Sequence, residues 1–407
     1  MENDKLLFAN DLGYGAVKAD LNGKTVKFPS VITIQREQDI QPPVEFDSKQ
    51  QKDEYMKDLL NRLDVTISSS SVQMQGRFLV GNSAIESRLP TRSFDINDRA
   101  GKAKSDLSMI MTLSMIAGKR AQDAYFNGED LGNTLNVDVT MATALPVVES
   151  KQIGTKDAYK ERFLKSKHIV AIQNFNDPIT VAINFKNVYV AVEGETAQMF
   201  ISYTKDQDFL KKLNEDYNKN YPDMVKSKPL SEVLKSKNII SIDVGAGTTD
   251  IIPIINGKAN AHASNSLPFG YGSVLEDAID VLGEQGYPFT NRAQLEEFLA
   301  DKNPMNEGRY KRIAAIIEEQ FATLEDRIVA SVSRTLRKTG ADIQAAFVSG
   351  GGSIPMKNSA LRKKVVQKIN SYTGGFEDVP VIWVPQEYAQ YMNLYGLKMI
   401  VKMLDKK

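Results

Sequence analysis

The beginning of the chain alternates short apolar runs with glycine-containing turns. Residues 5–34 read KLLFANDLGYGAVKADLNGKTVKFPSVITI, which predicts three strands with turns at Gly13–Gly15 and at Asn22-Gly23. An Asn-Gly pair between apolar runs is a strong signal for a tight hairpin, because both residues tolerate the backbone conformation that such a turn needs. We therefore expect the chain to begin with hairpin-connected strands.

The pattern then becomes polar before it turns strongly apolar. Residues 35–75 predict a loop and a helix in a small peripheral subdomain, and residues 75–85 predict a further strand and turn. Residues 105–126 carry apolar side chains at helical spacing, which is typical of a buried helix. Residues 134–146 predict a core strand that ends at Pro146.

The rest of the chain mixes helical and strand patterns. Strands interspersed with helices along a chain are typical of an α/β fold, and we expect that class. In chain order, the pattern predicts a helix near 156–165, strands near 179–184, 187–192 and 199–203, two solvated helices over the lysine-rich residues 205–236, two strands around a glycine turn at 239–255, helices at 273–283 and 308–338, a buried strand running into glycines at 345–353, a helix at 359–371, a strand at 379–384 and a final helix at 386–404.

Two distant segments of the chain repeat one pattern. Residues 6–20 (LLFANDLGYGAVKAD) and residues 239–253 (IISIDVGAGTTDIIP) each place Asp-x-Gly-x-Gly between two apolar strands. A duplicated hairpin of this kind predicts two similar halves that face one another.

Each Asp-x-Gly-x-Gly turn suits the binding of phosphate. Glycine lets the backbone approach a ligand without a Cβ clash, and successive backbone N–H groups can point at phosphate oxygens. Asp11 and Asp243, which precede the turns, suit a contact to Mg²⁺ through water, since Mg²⁺ keeps much of its hydration shell. Lys18 follows the first turn as a mobile cation for the β- and γ-phosphates. Thr248 and Thr249 add hydroxyl donors at the second turn.

Composition and charge argue against several other classes of protein. Lys+Arg and Asp+Glu both number 51, so the chain has no global electrostatic attraction to nucleic acid or to anionic membranes. The chain has no cysteine, which excludes disulfides, thiol nucleophiles and zinc–cysteine sites and fits a reducing cytoplasm. The two histidines, His168 and His262, are far apart and are expected to be ordinary strand or loop residues. We see no signal-peptide pattern and no apolar run of about 18 residues that would predict a membrane-spanning helix.

Three motifs together resemble the ATPase superfamily of actin, the heat-shock chaperones and the sugar kinases. Residues 11–18 (DLGYGAVK) resemble its first phosphate loop, and residues 243–250 (DVGAGTTD) resemble its second. Residues 348–353 (VSGGGS) resemble its adenosine motif, where glycines let adenine and ribose lie against the backbone. Two connecting segments also match, at 190–195 (VAVEGE) and at 388–397 (YAQYMNLYGL), and all five motifs stand in the order of that superfamily.

The resemblance implies an actin-like α/β fold, with two ribonuclease-H-like domains around a nucleotide cleft. Domain I would comprise residues 1–145 and 386–407, with a small subdomain at about 35–100. Domain II would comprise residues 146–385, with a helical subdomain at about 260–340.

The resemblance also implies the roles of individual residues. Glu193 would orient the attacking water, with Glu195 as the second choice because the residue before Glu193 is Val192 where the family often has Pro. Asp11 and Asp243 would serve catalysis and would contact Mg²⁺ through water. The residues expected to bind ATP or GTP are Gly13, Tyr14, Gly15, Lys18, Gly245, Ala246, Gly247, Thr248, Thr249, Gly350, Gly351, Gly352 and Ser353.

Within the superfamily, the chain is most similar to ParM-like plasmid-segregation ATPases of Gram-positive bacteria. We expect no peptide-binding domain of the kind that follows the ATPase in the chaperones, and no sugar site is obvious. The resemblance implies a cytoplasmic protein that forms head-to-tail filaments with ATP and Mg²⁺ and disassembles after hydrolysis. It also implies a ParR-like adaptor on a centromeric plasmid site, without direct contact to DNA or membrane. A small-molecule kinase and a non-polymerising regulatory ATPase are the two alternatives.

Overall fold

The chain forms two compact units. In this computed structural model, unit 1 comprises Met1–Thr196 and Asn393–Lys407, and unit 2 comprises Ala197–Met392. The structure describes residues 4–95, 101–301, 303–340, 343–373 and 378–406. Helices and strands occur in both units, which confirms the predicted α/β class.

Unit 1 is built on a large mixed sheet with the strand order β3-β2-β1-β8-β10-β9-β5-β6-β4-β7. The pairs β1–β8 and β8–β10 are parallel, and the pairs that flank them are antiparallel. The strands are β1 (Asp4–Leu12), β2 (Ala16–Leu21), β3 (Lys24–Pro29), β4 (Val31–Gln35), β5 (Asp64–Ser68), β6 (Arg77–Val80), β7 (Arg92–Ser93), β8 (Leu135–Leu145), β9 (His168–Ile172) and β10 (Ile179–Val192).

The first hairpins form where the sequence predicts them. Asn22 and Gly23 both have positive φ, 51° and 91°, as a tight two-residue hairpin turn requires. The segment contains four strands rather than the predicted three, because the chain leaves β3 at the buried Ser30. The Ser30 Oγ donates a hydrogen bond to the Gly13 oxygen (2.6 Å), which holds this corner against the first glycine turn.

Helices accompany this sheet in unit 1, and two of them, α4 and α6, contact its strand β10. The predicted buried helix is present as α4, with Ser105 as its N-cap and Gly128, at φ 74°, as its left-handed C-cap. The helices are α1 (Lys49–Lys57), α2 (Asn82–Glu86), α3 (Gly101–Lys104), α4 (Asp106–Asn127), α5 (Val147–Ser150), α6 (Thr155–Leu164), α7 (Glu195–Tyr203), which continues into unit 2, and α16 (Met392–Asp405).

Two strand predictions in this region are wrong. The strands predicted near 179–184 and 187–192 form one strand, β10, with an irregularity in register between Phe185 and Asn187. The strand predicted near 199–203 is part of α7. In α7, Ala197, Phe200 and Ile201 are buried at helical spacing, so a helix, and not a strand, places them on one face.

The division between the units differs from the predicted boundary after residue 145. Residues 146–196 belong to unit 1, because β10 pairs in parallel with β8 along both strands and β9 pairs with β10. This long-range pairing has no local signal in the sequence. The returning segment also begins later than predicted, at Asn393 rather than at residue 386. The two predicted subdomains, at about 35–100 and 260–340, stay predictions.

Unit 2 has a smaller sheet with the order β13-β12-β11-β15-β16, and β14 pairs with β12. Its strands are β11 (Ile239–Val244), β12 (Thr249–Ile255), β13 (Lys258–Ala259), β14 (Asn265–Leu267), β15 (Ala345–Ser349) and β16 (Val381–Trp383). Its helices are α8 (Gln207–Asn220), α9 (Leu230–Val233), α10 (Tyr271–Glu284), α11 (Arg292–Ala300), α12 (Glu307–Glu319), α13 (Phe321–Thr339), α14 (Leu361–Thr373) and α15 (Gln386–Ala389).

Two predicted long helices are each divided. The helix predicted at 308–338 breaks at Gln320 into α12 and α13, and the final helix breaks into α15 and α16. Among the described residues, no helix combines the length and the apolar character that crossing a membrane requires.

Candidate functional site

The first glycine turn lies between β1 and β2 in unit 1. The antiparallel register of these strands places Asp11 opposite Lys18, and the Lys18 Nζ is 3.6 Å from the Asp11 Oδ2. The turn leaves no room for a side chain at Gly13, because a Cβ there would lie 2.6 Å from the Ala16 oxygen. The turn therefore presents backbone, one carboxylate and one ammonium group at the end of β1.

Glu193 follows β10 at the same end of the sheet. Its N–H donates to the Leu145 oxygen (2.9 Å), so the parallel pairing of β8 and β10 sets its position. Its Oε1 accepts a hydrogen bond from the Lys102 Nζ (3.0 Å). The Lys102 Nζ also lies 4.4 Å from the centre of the Tyr14 ring in the first glycine turn. Lys102 thus links the turn to Glu193.

Neighbouring groups keep the side chain of Lys102 protonated. Burial alone would lower its pKa, but the carboxylate of Glu193, followed by Tyr14 and Asp11, outweighs burial and holds the pKa above its ordinary value. The ammonium therefore stays charged in the ordinary pH range, although the side chain of Lys102 is only 2% exposed.

The turn after Glu193 is fixed by the last helix. Gly194 has a φ of 86° and donates its N–H to the Asn393 Oδ1 (3.0 Å), which also accepts from the Thr196 Oγ1 (2.8 Å). A Cβ on Gly396 would lie 1.9 Å from the Thr196 oxygen, so α16 approaches this turn at backbone distance. The predicted connecting motif at 388–397 thus contributes Asn393 and Gly396 to the support of Glu193.

Glu195 begins α7 and is half-buried there. Glu193, in contrast, contacts Lys102, which also stacks on the Tyr14 ring. Glu193 is therefore joined through Lys102 to the first glycine turn.

The second glycine turn lies between β11 and β12 in unit 2. Asp243 and Asp250 are opposite each other, and the Gly245 N–H donates to the Thr248 oxygen (2.8 Å). The two threonines differ. The Thr249 hydroxyl is buried and donates to the Phe269 oxygen (2.8 Å), whereas Thr248 is half-exposed at the turn. Thr249 thus holds the turn through a contact that the sequence does not predict.

The glycines of the predicted adenosine motif pack against this second turn. Gly350 has a φ of 92°, and a Cβ there would lie 2.3 Å from both the Asp243 Oδ1 and the Val244 oxygen. A Cβ on Gly352 would lie 2.9 Å from the Gly245 oxygen. Because β11 and β15 are parallel neighbours, the ends of both strands meet, and the structure brings these two predicted motifs together.

Two further glycines of unit 2, Gly270 and Gly272, pack against the second glycine turn and were not predicted. The N–H groups of Tyr271 and Gly272, at the start of α10, donate to the Gly245 and Ala246 oxygens (3.0 and 2.8 Å). A Cβ on Gly270 would lie 2.5 Å from the Gly245 oxygen. The signal available in the sequence is the Gly-Tyr-Gly triplet just before a helical pattern. Lys102 was missed as well, and no local pattern identifies it.

The histidines behave as predicted. His168 is buried at the start of β9, where its Nε2 contacts the Phe163 oxygen (2.9 Å) and its Nδ1 contacts the Ser69 Oγ (2.7 Å). His262 is exposed in a turn. In the part of the chain that the structure describes, no group of three or more His, Asp or Glu side chains could hold a metal ion by itself.

Each unit matches the model of a family of actin-like or actin-homologous proteins. Residues 9–195 match the family described as "Actin like proteins N terminal domain". Residues 241–362 match the family described as "Archaeal actin homologue MreB-like, C-terminal". A comparison with curated proteins finds no match.

Solved structures give the same result for the fold. The actin-like protein Alp7A matches with a TM-score of 0.67 at 16% identity, over 100% of this chain and 98% of that one. Bacillus thuringiensis ParM, solved with ATP, matches with a TM-score of 0.63 at 16% identity over 100% of both chains. The archaeal actin homologue Ta0583 matches with a TM-score of 0.58 at 16% identity, over 98% of this chain and 99% of that one. The predicted actin-like fold is thus confirmed.

Proposed function

The chain belongs to the actin-like proteins, and on that premise we propose that it is an ATP-hydrolysing, filament-forming protein that drives plasmid segregation. The observation that carries the proposal is the pair of Asp-x-Gly-x-Gly turns at the ends of β1 and β11. Bacillus thuringiensis ParM, which has a similar fold, has been solved with ATP, AMPPNP and ADP.

We propose that the nucleotide is bound mainly by backbone. At Gly13, Gly350 and Gly352 a Cβ would collide with neighbouring backbone or carboxylate atoms, so only glycine permits these close-packed turns. Backbone N–H groups in such turns bind phosphate oxygens. Lys18 supplies a positive charge for the phosphates of the substrate. The glycines from Gly350 to Gly352 form the surface for adenosine.

Mg²⁺ would be bound through its water molecules and the substrate phosphates. Asp11 and Asp243 offer carboxylate oxygens, which are the hard ligands that Mg²⁺ prefers. When bound, Mg²⁺ supplies positive charge that offsets the charge of the phosphates.

Hydrolysis requires a group that orients water in line with the bond to be broken. We propose that Glu193 does so by accepting a hydrogen bond from the attacking water. The water oxygen bonds to the γ-phosphorus while the bond from that phosphorus to the β–γ bridging oxygen breaks. The electron pair of the broken bond stays on ADP, and the proton lost by the water leaves with the phosphate.

The nucleotide-bound protein would assemble head to tail with further copies, since a heterologous contact that does not close produces an open filament. Hydrolysis would weaken these contacts and release protomers. The balanced net charge of the chain favours attachment to plasmid DNA through a ParR-like adaptor rather than through direct contact.

Light scattering of the purified protein, combined with phosphate release, tests this proposal. We expect ATP and Mg²⁺ to produce scattering above a critical protein concentration, and we expect ADP to produce less. A parallel series with GTP determines the nucleotide preference. ATP consumption that requires an added small-molecule acceptor would instead identify a kinase. Nucleotide binding with no scattering at high concentration would identify a non-polymerising regulator.

A further inference from the structure

Lys102 occupies an unusual position for a lysine. Its side chain is 2% exposed, and its partner Glu193 is 15% exposed. A charged group is excluded from water only at a considerable cost in free energy unless it is paired. Here the Nζ bonds to the Glu193 Oε1 at 3.0 Å and lies over the face of Tyr14 at 4.4 Å from the ring centre.

The backbone of Lys102 is held from both sides. The carboxylate of Glu149 accepts hydrogen bonds from the backbone N–H groups of Lys102 (3.0 Å) and Ala103 (2.9 Å). The Ser108 Oγ donates to the Lys102 oxygen (2.6 Å). Gly101 has a φ of 65°, and a Cβ there would lie 2.4 Å from the Glu149 carboxyl carbon. These contacts fix the backbone of Lys102 and therefore the point from which its side chain extends.

A third contact fixes this segment to α6. The Arg162 Nη1 donates to the oxygens of Ala103 (2.9 Å) and Ser105 (3.0 Å), and its Nη2 bonds to the Asp106 Oδ1 (3.0 Å). The ammonium of Lys102 is therefore carried by a rigid support that reaches from α3 to α6. Rigid support of this kind is what a group needs if it is to hold another side chain in one orientation.

We propose that Lys102 is a positioning residue for ATP hydrolysis, which it serves by holding the carboxylate of Glu193 in the orientation that receives the attacking water. This inference rests on the proposed ATPase function. A carboxylate accepts several hydrogen bonds at once, so the bond from Lys102 is compatible with a further bond from water. Because the same ammonium lies on Tyr14, Lys102 fixes Glu193 relative to the first phosphate loop.

The test compares Lys102→Met, Glu193→Gln and the double variant for phosphate release and for affinity for a fluorescent ADP analogue. Misplacing a catalytic group by about 1 Å can cost about 10²-fold in rate, so we expect Lys102→Met to lower kcat by about 10- to 100-fold. We expect the affinity for the ADP analogue to change by less than about threefold, since Lys102 acts on Glu193 and not on the nucleotide. In the Glu193→Gln background, Lys102→Met should have no further effect on kcat.

Lys364→Met is the matched control. The Lys364 Nζ also bonds to a buried acidic residue, at 2.9 Å from the Glu325 Oε2, and to the Asp326 Oδ1 at 2.7 Å, and all three residues lie in unit 2. We expect this variant to keep the wild-type kcat. A loss of activity that merely follows from a broken ion pair would appear in both lysine variants.

Two results would overturn the inference. One is a folded Lys102→Met variant with the wild-type kcat. The other is an equal loss of rate from Lys102→Met in the wild-type and Glu193→Gln backgrounds. If Lys102→Met alone does not fold, the double variant, which removes both charges together, is compared with Glu193→Gln, and a large further loss of kcat in the double variant would overturn the inference. A wild-type protein that hydrolyses no ATP would instead refute the proposed function itself.

Discussion

The two Asp-x-Gly-x-Gly turns share a sequence pattern but have different surroundings. Charged side chains surround the first turn in unit 1, namely Lys18, Lys102 and Glu193. Backbone surrounds the second turn in unit 2, where Gly270 and Gly350 approach at distances that a Cβ would not allow. The comparison shows that two copies of one local pattern can have different surroundings. On the proposed function, each turn contributes the carboxylate that precedes its glycines, the first turn adds Lys18, Lys102 and Glu193, and the second adds closely packed backbone.

Asp243→Ala gives the largest expected effect, since Asp243 is the one carboxylate that directly precedes the glycines of the second turn. Its loss removes an acceptor for the water molecules of Mg²⁺, and we expect phosphate release to fall by about 10³-fold. Asp250→Ala is the control, because Asp250 lies opposite Asp243 on β12. Equal activity of the two variants in a phosphate-release assay would contradict the role of Asp243.

Glu193→Ala tests the chemical role of the first turn. Loss of the group that orients water should slow phosphate release by about 10²-fold, and filaments should then persist longer after ATP is added. Glu195→Ala should have a much smaller effect, because Glu195 begins α7, whereas Glu193 is joined through Lys102 to the first glycine turn. Scattering decay after addition of a fixed amount of ATP measures filament lifetime. Rapid filament turnover with normal phosphate release in Glu193→Ala would refute the assignment.

Gly350→Ala tests whether the close packing of Gly350 against the second glycine turn is needed for stability and nucleotide binding. The new Cβ would collide with the Asp243 Oδ1 and the Val244 oxygen in a backbone conformation that favours glycine, which should destabilise unit 2 by about 3 kcal/mol. We expect affinity for a fluorescent ADP analogue to fall by about tenfold or more. Gly283→Ala is the control, because nothing lies within 4 Å of the new Cβ and alanine favours the helix by about 1 kcal/mol. Similar thermal denaturation curves for the two variants would contradict this account.

Thr248→Val and Thr249→Val separate binding from stability within the second turn. Thr249→Val leaves the Phe269 oxygen without its 2.8 Å hydrogen bond, which should cost about 1–2 kcal/mol of unfolding free energy. Thr248→Val should change stability little and weaken nucleotide affinity by a few-fold, since its side chain is half-exposed at the turn. Denaturant unfolding and nucleotide titration of both variants measure the two effects. A loss of nucleotide affinity in Thr249→Val, with a loss of stability in Thr248→Val, would show that Thr249 contacts the ligand.

Much of the site could be predicted from sequence because its glycine turns are local patterns. Asp-x-Gly-x-Gly at Asp11 and Asp243 and the glycines from Gly350 are read within a few residues, and their strands form as predicted. Lys102 could not be found in this way. Its contact with Glu193 spans 91 positions of the chain, and its burial results from the packing of other elements.

The limits on predicting the fold have the same cause. The short strands β5 and β9 pair with each other, and neither stands out in a single-sequence pattern because each is only five residues long. The division between units depends on the pairing of β8 with β10, which brings residues 146–196 into unit 1. In each case the deciding interaction is non-local. A local pattern of side chains does not specify which distant strand will be the partner.

Replacement of His168 gives the smallest expected effect. This side chain is buried in unit 1, where burial disfavours a charged imidazole. Burial lowers the pKa of His168 below its ordinary value, although its contact with the Phe163 oxygen opposes the shift. The unfolded chain therefore binds a proton more readily than the folded protein, and stability is lost as the pH falls below the unfolded pKa of about 6.5. The loss from this one group is at most about 1.4 kcal/mol per pH unit. His168→Gln should reduce the difference in unfolding free energy between pH 7.5 and pH 5.5, measured by denaturant titration. An unchanged difference would show that other groups control the acid sensitivity of unit 1.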